Sequence, residues 1–175
     1  MLKPLHEPYA GPISYPISST LTALATTAVR QSGATDLNSP YGYGDSTGAS
    51  GFVAGQVCKL SSESSSTVVD LVSATGDDPT GLLADGFTDS LKSGYVGIYF
   101  FSIGGLFTVK ECYDTGQTYT VGTKLTFIYS GTNVAKLTPA SNYGSQTIIA
   151  RVVVAPSDAT ADDEMVIELM YQVEV

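Results

Sequence analysis

From residue 52 onward, apolar and polar positions alternate in short runs broken by glycine, serine and aspartate. Strand side chains point to opposite faces in turn, so such runs predict strands with one face in a core. Residues 52–60 and 67–74 are rich in β-branched side chains and flank a serine-rich stretch at 61–66. Residues 95–101 and 106–112 flank Gly104-Gly105, which predicts a hairpin. In 124–129, Leu125, Phe127 and Tyr129 share one face, and a turn at 130–133 leads into 134–137. Residues 146–154 are apolar on both faces, as in a central, covered strand. The clearest run is the last. Met165, Ile167, Leu169, Tyr171 and Val173 face one way, and Glu168, Gln172 and Glu174 the other. Turn signals every eight to twelve residues predict an all-β fold, an antiparallel β-sandwich or small β-barrel. Helix is scarce, with one turn expected at 85–91.

The first fifty residues differ. Pro4, Pro8, Pro12 and Pro16 recur every fourth position, and Tyr9, Tyr15, Tyr41 and Tyr43 are interspersed among few charges. Proline disfavours helix in the residue before it, so residues 1–16 read as extended. Ser18, Ser19 and Thr20 offer a cap for a short helix near 19–31, with Leu21, Leu24, Ala25, Ala28 and Val29 on one face. An extended course competes there, because threonine is frequent. Residues 32–51 are Gly, Ser, Asn and Tyr-rich and read as a loop. The expected organisation is an extended N-terminal arm, 1–51, ahead of a β-rich domain, 52–175. Disordered tails are charged and poor in aromatics. This stretch is neither, and tyrosine provides large contact area at low entropic cost. Pro4, Pro8, Tyr9, Pro12, Tyr15, Pro16, Tyr41 and Tyr43 are therefore the candidate contact residues; a solvated tail with incidental aromatics is the plain alternative.

Composition narrows the function. The chain has 175 residues, a net charge of −9 and only 14% charged residues. Eight basic residues make no basic stripe, which argues against direct nucleic-acid binding. The acidity argues against anionic membranes. No apolar run has the length of a membrane span, and the start lacks the apolar core of a signal peptide. Cys58 and Cys112 are too few for a disulfide framework and read as reduced, buried, small apolar residues.

Candidate chemistry is thin. Gly44-Asp45-Ser46-Thr47-Gly48 fits the pattern of a nucleophile elbow, but it lacks a flanking strand and helix, and the single histidine, His6, precedes it. Asp114-Thr115-Gly116 spells the aspartic-protease triplet, which requires a second copy to share the proton. Its surroundings, Gly116-Gln117-Thr118, look like a hairpin turn. Asp77, Asp78, Asp85 and Asp89 form one loose acidic group and Asp162, Asp163 and Glu164 another, neither with calcium-loop spacing. Two distant cysteines and one histidine do not make a zinc site. No phosphate loop or dinucleotide fingerprint occurs. No catalytic residue, metal or cofactor is therefore expected.

Pro79-Thr80-Gly81-Leu82-Leu83-Ala84, then the aromatic run 95–101, Gly105 and Phe107, resembles a stretch of the lambda-type head-decoration proteins of tailed bacteriophages. Residues 148–154, Pro156-Ser157-Asp158 and 165–169 are similar to closing strands of phage capsid-associated β domains. The chain departs from the lambda type in being longer after Cys112 and in having no Trp. The resemblance implies a cement protein: a virion structural protein, made in the host cytoplasm, that binds the outside of an icosahedral shell and bridges subunits of the major capsid protein. It also implies a homo-oligomer, a trimer ahead of a dimer. The alternatives are a fibre, tail or surface β module that binds a host receptor or glycan, and an aspartic-type or other carboxylate hydrolase.

Overall fold

The computed structural model describes residues 2–4, 12–23, 54–74, 76–84, 93–110, 112–129, 135–142, 147–159 and 163–172. Eleven strands among them form two antiparallel sheets. In chain order they are β1 (Leu2–Pro4), β2 (Ile13–Pro16), β3 (Val57–Glu63), β4 (Ser66–Leu71), β5 (Gly81–Leu83), β6 (Tyr95–Phe100), β7 (Leu106–Val109), β8 (Lys124–Phe127), β9 (Leu137–Pro139), β10 (Ile148–Val154) and β11 (Met165–Gln172). The six-stranded sheet has the order β1-β7-β11-β10-β8-β9, and the five-stranded sheet β2-β6-β5-β3-β4. The fold is an all-β sandwich.

Alternation divides the apolar residues of the five-stranded sheet between two cores. Val57, Leu82 and Tyr99 face the six-stranded sheet, where Phe107, Leu125, Phe127, Ile149, Met165, Ile167 and Leu169 complete the main core. The Tyr99 and Phe107 rings meet edge-on across the sheets, with centroids 5.0 Å apart. Their neighbours Cys58, Leu83, Val96 and Ile98 face the other way and form a second core with Val69 and Leu21. This second core exists because the five-stranded sheet curls. Its edges meet at one parallel bridge, Ile17 to Val69, and the Ser18 N–H donates to the Val69 carbonyl at 2.9 Å. One bridge is a seam rather than a ladder, so the sheet does not close into a barrel.

The N-terminal residues build both sheets, which corrects the expectation of an arm apart from the body for every stretch described. β1 pairs with β7 at one edge of the six-stranded sheet, Leu2 opposite Val109 and Pro4 opposite Phe107. β2 pairs with β6, Ile13 opposite Ile98 and Pro16 opposite Tyr95. A helical turn follows from Ser19 and is described as far as Ala23. Ser18 caps it: its hydroxyl oxygen accepts the Leu21 N–H at 3.0 Å, and its carbonyl accepts the Thr22 N–H. Leu21 is fully buried and closes the second core. The rest of the expected helix to residue 31, and the loop to 51, lie outside the described residues, as does the expected turn at 85–91.

Two turns differ from the sequence reading. Gly104-Gly105 is a corner rather than a hairpin. β6 belongs to the five-stranded sheet and β7 to the six-stranded one, with a 3-10 turn at Phe101–Ile103 between them. Gly104 adopts φ 64, ψ −162 and Gly105 φ 116, a path that only glycine takes easily and that turns the chain from one sheet into the other. Conversely, the serine-rich stretch is itself a hairpin. Ser62 lies opposite Thr67 and Glu63 opposite Ser66, so Ser64 and Ser65 form a two-residue turn with φ 50 and 68. β10 is central, between β11 and β8, and buried on both faces over Ile148, Ile149 and Ala150. Beyond them, Arg151 is exposed and pairs with Glu168 on β11.

Candidate attachment surface

The proposed contact residues fall in three places. Pro12 is exposed just ahead of β2. Tyr15 is turned inward: its ring meets Phe100 edge-on, centroids 6.2 Å apart, against the second core. Pro4 and Pro16 each end an edge strand. Pro8, Tyr9, Tyr41 and Tyr43, together with Gly44-Asp45-Ser46-Thr47-Gly48, lie outside the described residues.

Pro16 has a definite part in the sheet. The Ile17 N–H donates to the Gly94 carbonyl at 3.1 Å, and Pro16 stands opposite Tyr95. In an antiparallel ladder bonded and non-bonded pairs alternate, so the backbone polar groups of Ser14 and Pro16 point away from β6. Proline has no N–H to offer at that outer edge. It limits pairing along that edge, the usual place for proline in a sheet. β6 occupies one edge of β2, and the other meets β4 at the Ile17–Val69 bridge.

Apolar side chains reach solvent at two other sites that the sequence reading did not single out. Ile13 is 50% exposed and Tyr95 53%. They stand on opposite faces of the β2–β6 ribbon, because Ile13 shares the face of Tyr15 and Tyr95 that of Pro16. Val121 and Val154 form the second site, 72% and 52% exposed. The Gly122 N–H donates to the Val152 carbonyl at 2.8 Å and holds the Val121 turn beside the end of β10. Single apolar residues in polar surroundings look ordinary in a sequence; only the register places them at the surface.

Charged groups hold the seam. The Glu63 carboxylate accepts the Ser19 N–H at 3.0 Å and the Ser19 hydroxyl at 3.0 Å. Asp70 is half-buried. Burial raises its pKa above the ordinary 3.8, against the lowering effect of the Leu71 N–H, Lys59 and the Ser18 hydroxyl. Lys59 stands opposite Asp70 and pairs with Asp77 at 2.7 Å. The Asp77 carboxylate also accepts the N–H groups of Ser73 and Ala74. Burial alone would raise the Asp77 pKa; Lys59 and those two N–H groups outweigh it and lower it. Asp77 of the first acidic group thereby ties its own turn. Asp163 does the same in the second: its carboxylate accepts the Ser157 hydroxyl and the Asp158 N–H.

Asp114-Thr115-Gly116 is also a tied turn. One Asp114 carboxylate oxygen accepts the Gly116 N–H at 3.1 Å, and the other the Gln117 side-chain amide at 3.0 Å. The turn links β7 to β8, which are not neighbours, so it is not a hairpin. Two tyrosines whose rings meet edge-on fix it: the Tyr119 hydroxyl donates to the Asp114 carbonyl, and the Tyr113 hydroxyl to the Asp163 carbonyl. Burial pushes the Tyr119 hydroxyl far above its usual pKa and keeps it a neutral donor. Cys58 and Cys112 are buried and not joined in a disulfide; burial raises the Cys58 thiol strongly and makes it a poor nucleophile. Among the described residues no group of His, Cys, Asp and Glu could hold a metal ion, and no helix is long and apolar enough to cross a membrane. No protein-family model matches the chain, and no curated protein matches it.

Proposed function

We propose that the chain is a virion structural protein without catalysis. It decorates the outer surface of an icosahedral phage capsid and stabilises it by bridging subunits of the major capsid protein. One observation carries the reading. The stretches that resemble head-decoration proteins, spread from Pro79 to Phe107, meet as one unit in space. β5 pairs with β6, Leu82 opposite Tyr99, and Tyr99 packs on Phe107 at the corner where the chain changes sheets. The carboxylates of Asp77, Asp114 and Asp163 tie their own turns, which also favours a contact role. The outward apolar side chains Ile13, Tyr95, Val121 and Val154 supply places for contact. On a shell, many weak contacts add through effective concentration.

The test is co-sedimentation with expanded shells assembled from the major capsid protein of the same genome. The account predicts saturable binding, with a fixed number of copies per capsid subunit, and shells that survive higher temperature when decorated. Absence of binding at micromolar chain would overturn it.

A further inference from the structure

We infer that the curled five-stranded sheet is built to part between β2 and β4, and that this opening bares the second core while both sheets keep their ladders. The seam is one rung long because each neighbouring rung is blocked. Ile17 bridges Val69 in parallel, with the Ser18 N–H on the Val69 carbonyl. In a parallel ladder the next rungs lie two residues away in each direction. On one side Tyr15 would stand beside Thr67, and residue 16 would have to donate its N–H to the Thr67 carbonyl. Pro16 has none. On the other side residue 19 would stand beside Leu71, whose N–H would have to reach the Ser18 carbonyl. The Asp70 carboxylate already accepts the Leu71 N–H at 2.9 Å, and the Ser18 carbonyl accepts the Thr22 N–H of the helical turn at 3.0 Å.

Each strand at the seam is held more firmly by its other neighbour. β2 pairs with β6 from Ile13 to Pro16, and β4 with β3 from Ser66 to Leu71. Across the seam stand one rung, the exposed hydrogen bonds of Glu63 to Ser19, and the packing of Leu21 on Val69 and its neighbours. Exposed hydrogen bonds are readily replaced by bonds to water. Local opening starts where few backbone bonds and little buried apolar surface join two elements. Parting here uncovers Leu21, Val69 and Cys58 and leaves the main core, with Cys112, closed. This inference stands apart from the decoration reading, since it needs no capsid.

The two cysteines report on the two cores. Both are fully buried, Cys58 in the second core and Cys112 in the main one. The folded chain is incubated with N-ethylmaleimide at neutral pH without denaturant, and peptide mass spectrometry follows the alkylation of each thiol. Cys58 should react at least ten-fold faster than Cys112. Glu63→Ala, a surface change that opens no cavity, should raise the Cys58 rate several-fold and leave that of Cys112 unchanged. Pro16→Ala supplies the missing N–H. It should lower the Cys58 rate several-fold relative to Cys112 and protect the amide of residue 16 from hydrogen exchange. A Cys58 rate equal to or below that of Cys112 in the unsubstituted chain, a measurement that needs no variant, would overturn the inference: the second core would then open only with the whole fold. An equal rise at both thiols in Glu63→Ala would overturn it as well. An unprotected amide at residue 16 of the Pro16→Ala chain would overturn the part given to Pro16.

Discussion

The carboxylate of Glu63, at the tip of the β3–β4 hairpin, holds both the N–H and the hydroxyl of Ser19, where the N-terminal helical turn begins. A carboxylate at that end satisfies donors that have no partner within the helix and complements its positive end. Glu63→Ala should cost about 1 kcal/mol, the scale of a lost cap. Hydrogen exchange over residues 13–23 should then rise several-fold more than over β10, because the segment loosens before the body does. Equal acceleration in both regions would mean that Glu63 has no local role.

Gly81 and Gly122 separate close approach from backbone strain. A Cβ at Gly81 would lie 2.3 Å from the Tyr99 carbonyl oxygen and 2.6 Å from an Ile98 methyl. Both belong to a paired strand in the middle of the sheet, so Gly81→Ala should cost roughly 3 kcal/mol or more. Gly122 has φ +88 and open space around it, so Gly122→Ala should cost about 1 kcal/mol from conformation alone. Thermal melts of the two variants check this ordering; the first should fall by roughly 6 °C or more.

Ser64 and Ser65 both adopt positive φ, which serine tolerates poorly and which a two-residue hairpin requires. Asn-Gly suits such a turn best. The double substitution Ser64→Asn, Ser65→Gly should stabilise the chain by about 1 kcal/mol and raise the melting temperature by about 2–4 °C. A lowered melting temperature would contradict the turn geometry.

Asp70 and Asp77 should shift the pH dependence of stability in opposite senses. The folded-state pKa of Asp70 is raised, so the native state holds its proton more tightly than the unfolded chain. Its ionisation costs stability as pH rises above the ordinary value near 3.8, and that stability returns as pH falls. Asp77 is lowered, so its contribution is present above 3.8 and is lost as pH falls through its folded value. At pH 7, Asp70→Asn should leave stability unchanged or raised, and Asp77→Asn should lower it by roughly 1–3 kcal/mol. Urea melts of both variants at pH 3, 5 and 7 measure this. The deficit of Asp77→Asn should shrink toward pH 3.

Strands that carry their own pattern were legible. Met165, Ile167 and Leu169 alternate, and all three are buried. Residues decided by distant partners were not. Gly104-Gly105 looks alike as a hairpin turn or a corner, because the choice depends on which strands lie beside β6 and β7. β5 is three residues long and wholly buried, so it has no alternation to read. The proline spacing signals extended chain, as found in Leu2–Pro4 and Ile13–Pro16, but the partners of β1 and β2 lie about one hundred and about eighty positions away. Register also turned Tyr15, a candidate outward anchor, inward against the second core, where it is partly buried.

The most direct measurement of the central proposal is a cryo-electron microscopy reconstruction of expanded shells saturated with this chain. The account predicts two-sheet density on the outer surface at symmetry-related positions, each copy touching at least two capsid subunits. Shells without outer density, or with the chain bound inside or to a single subunit, would contradict it.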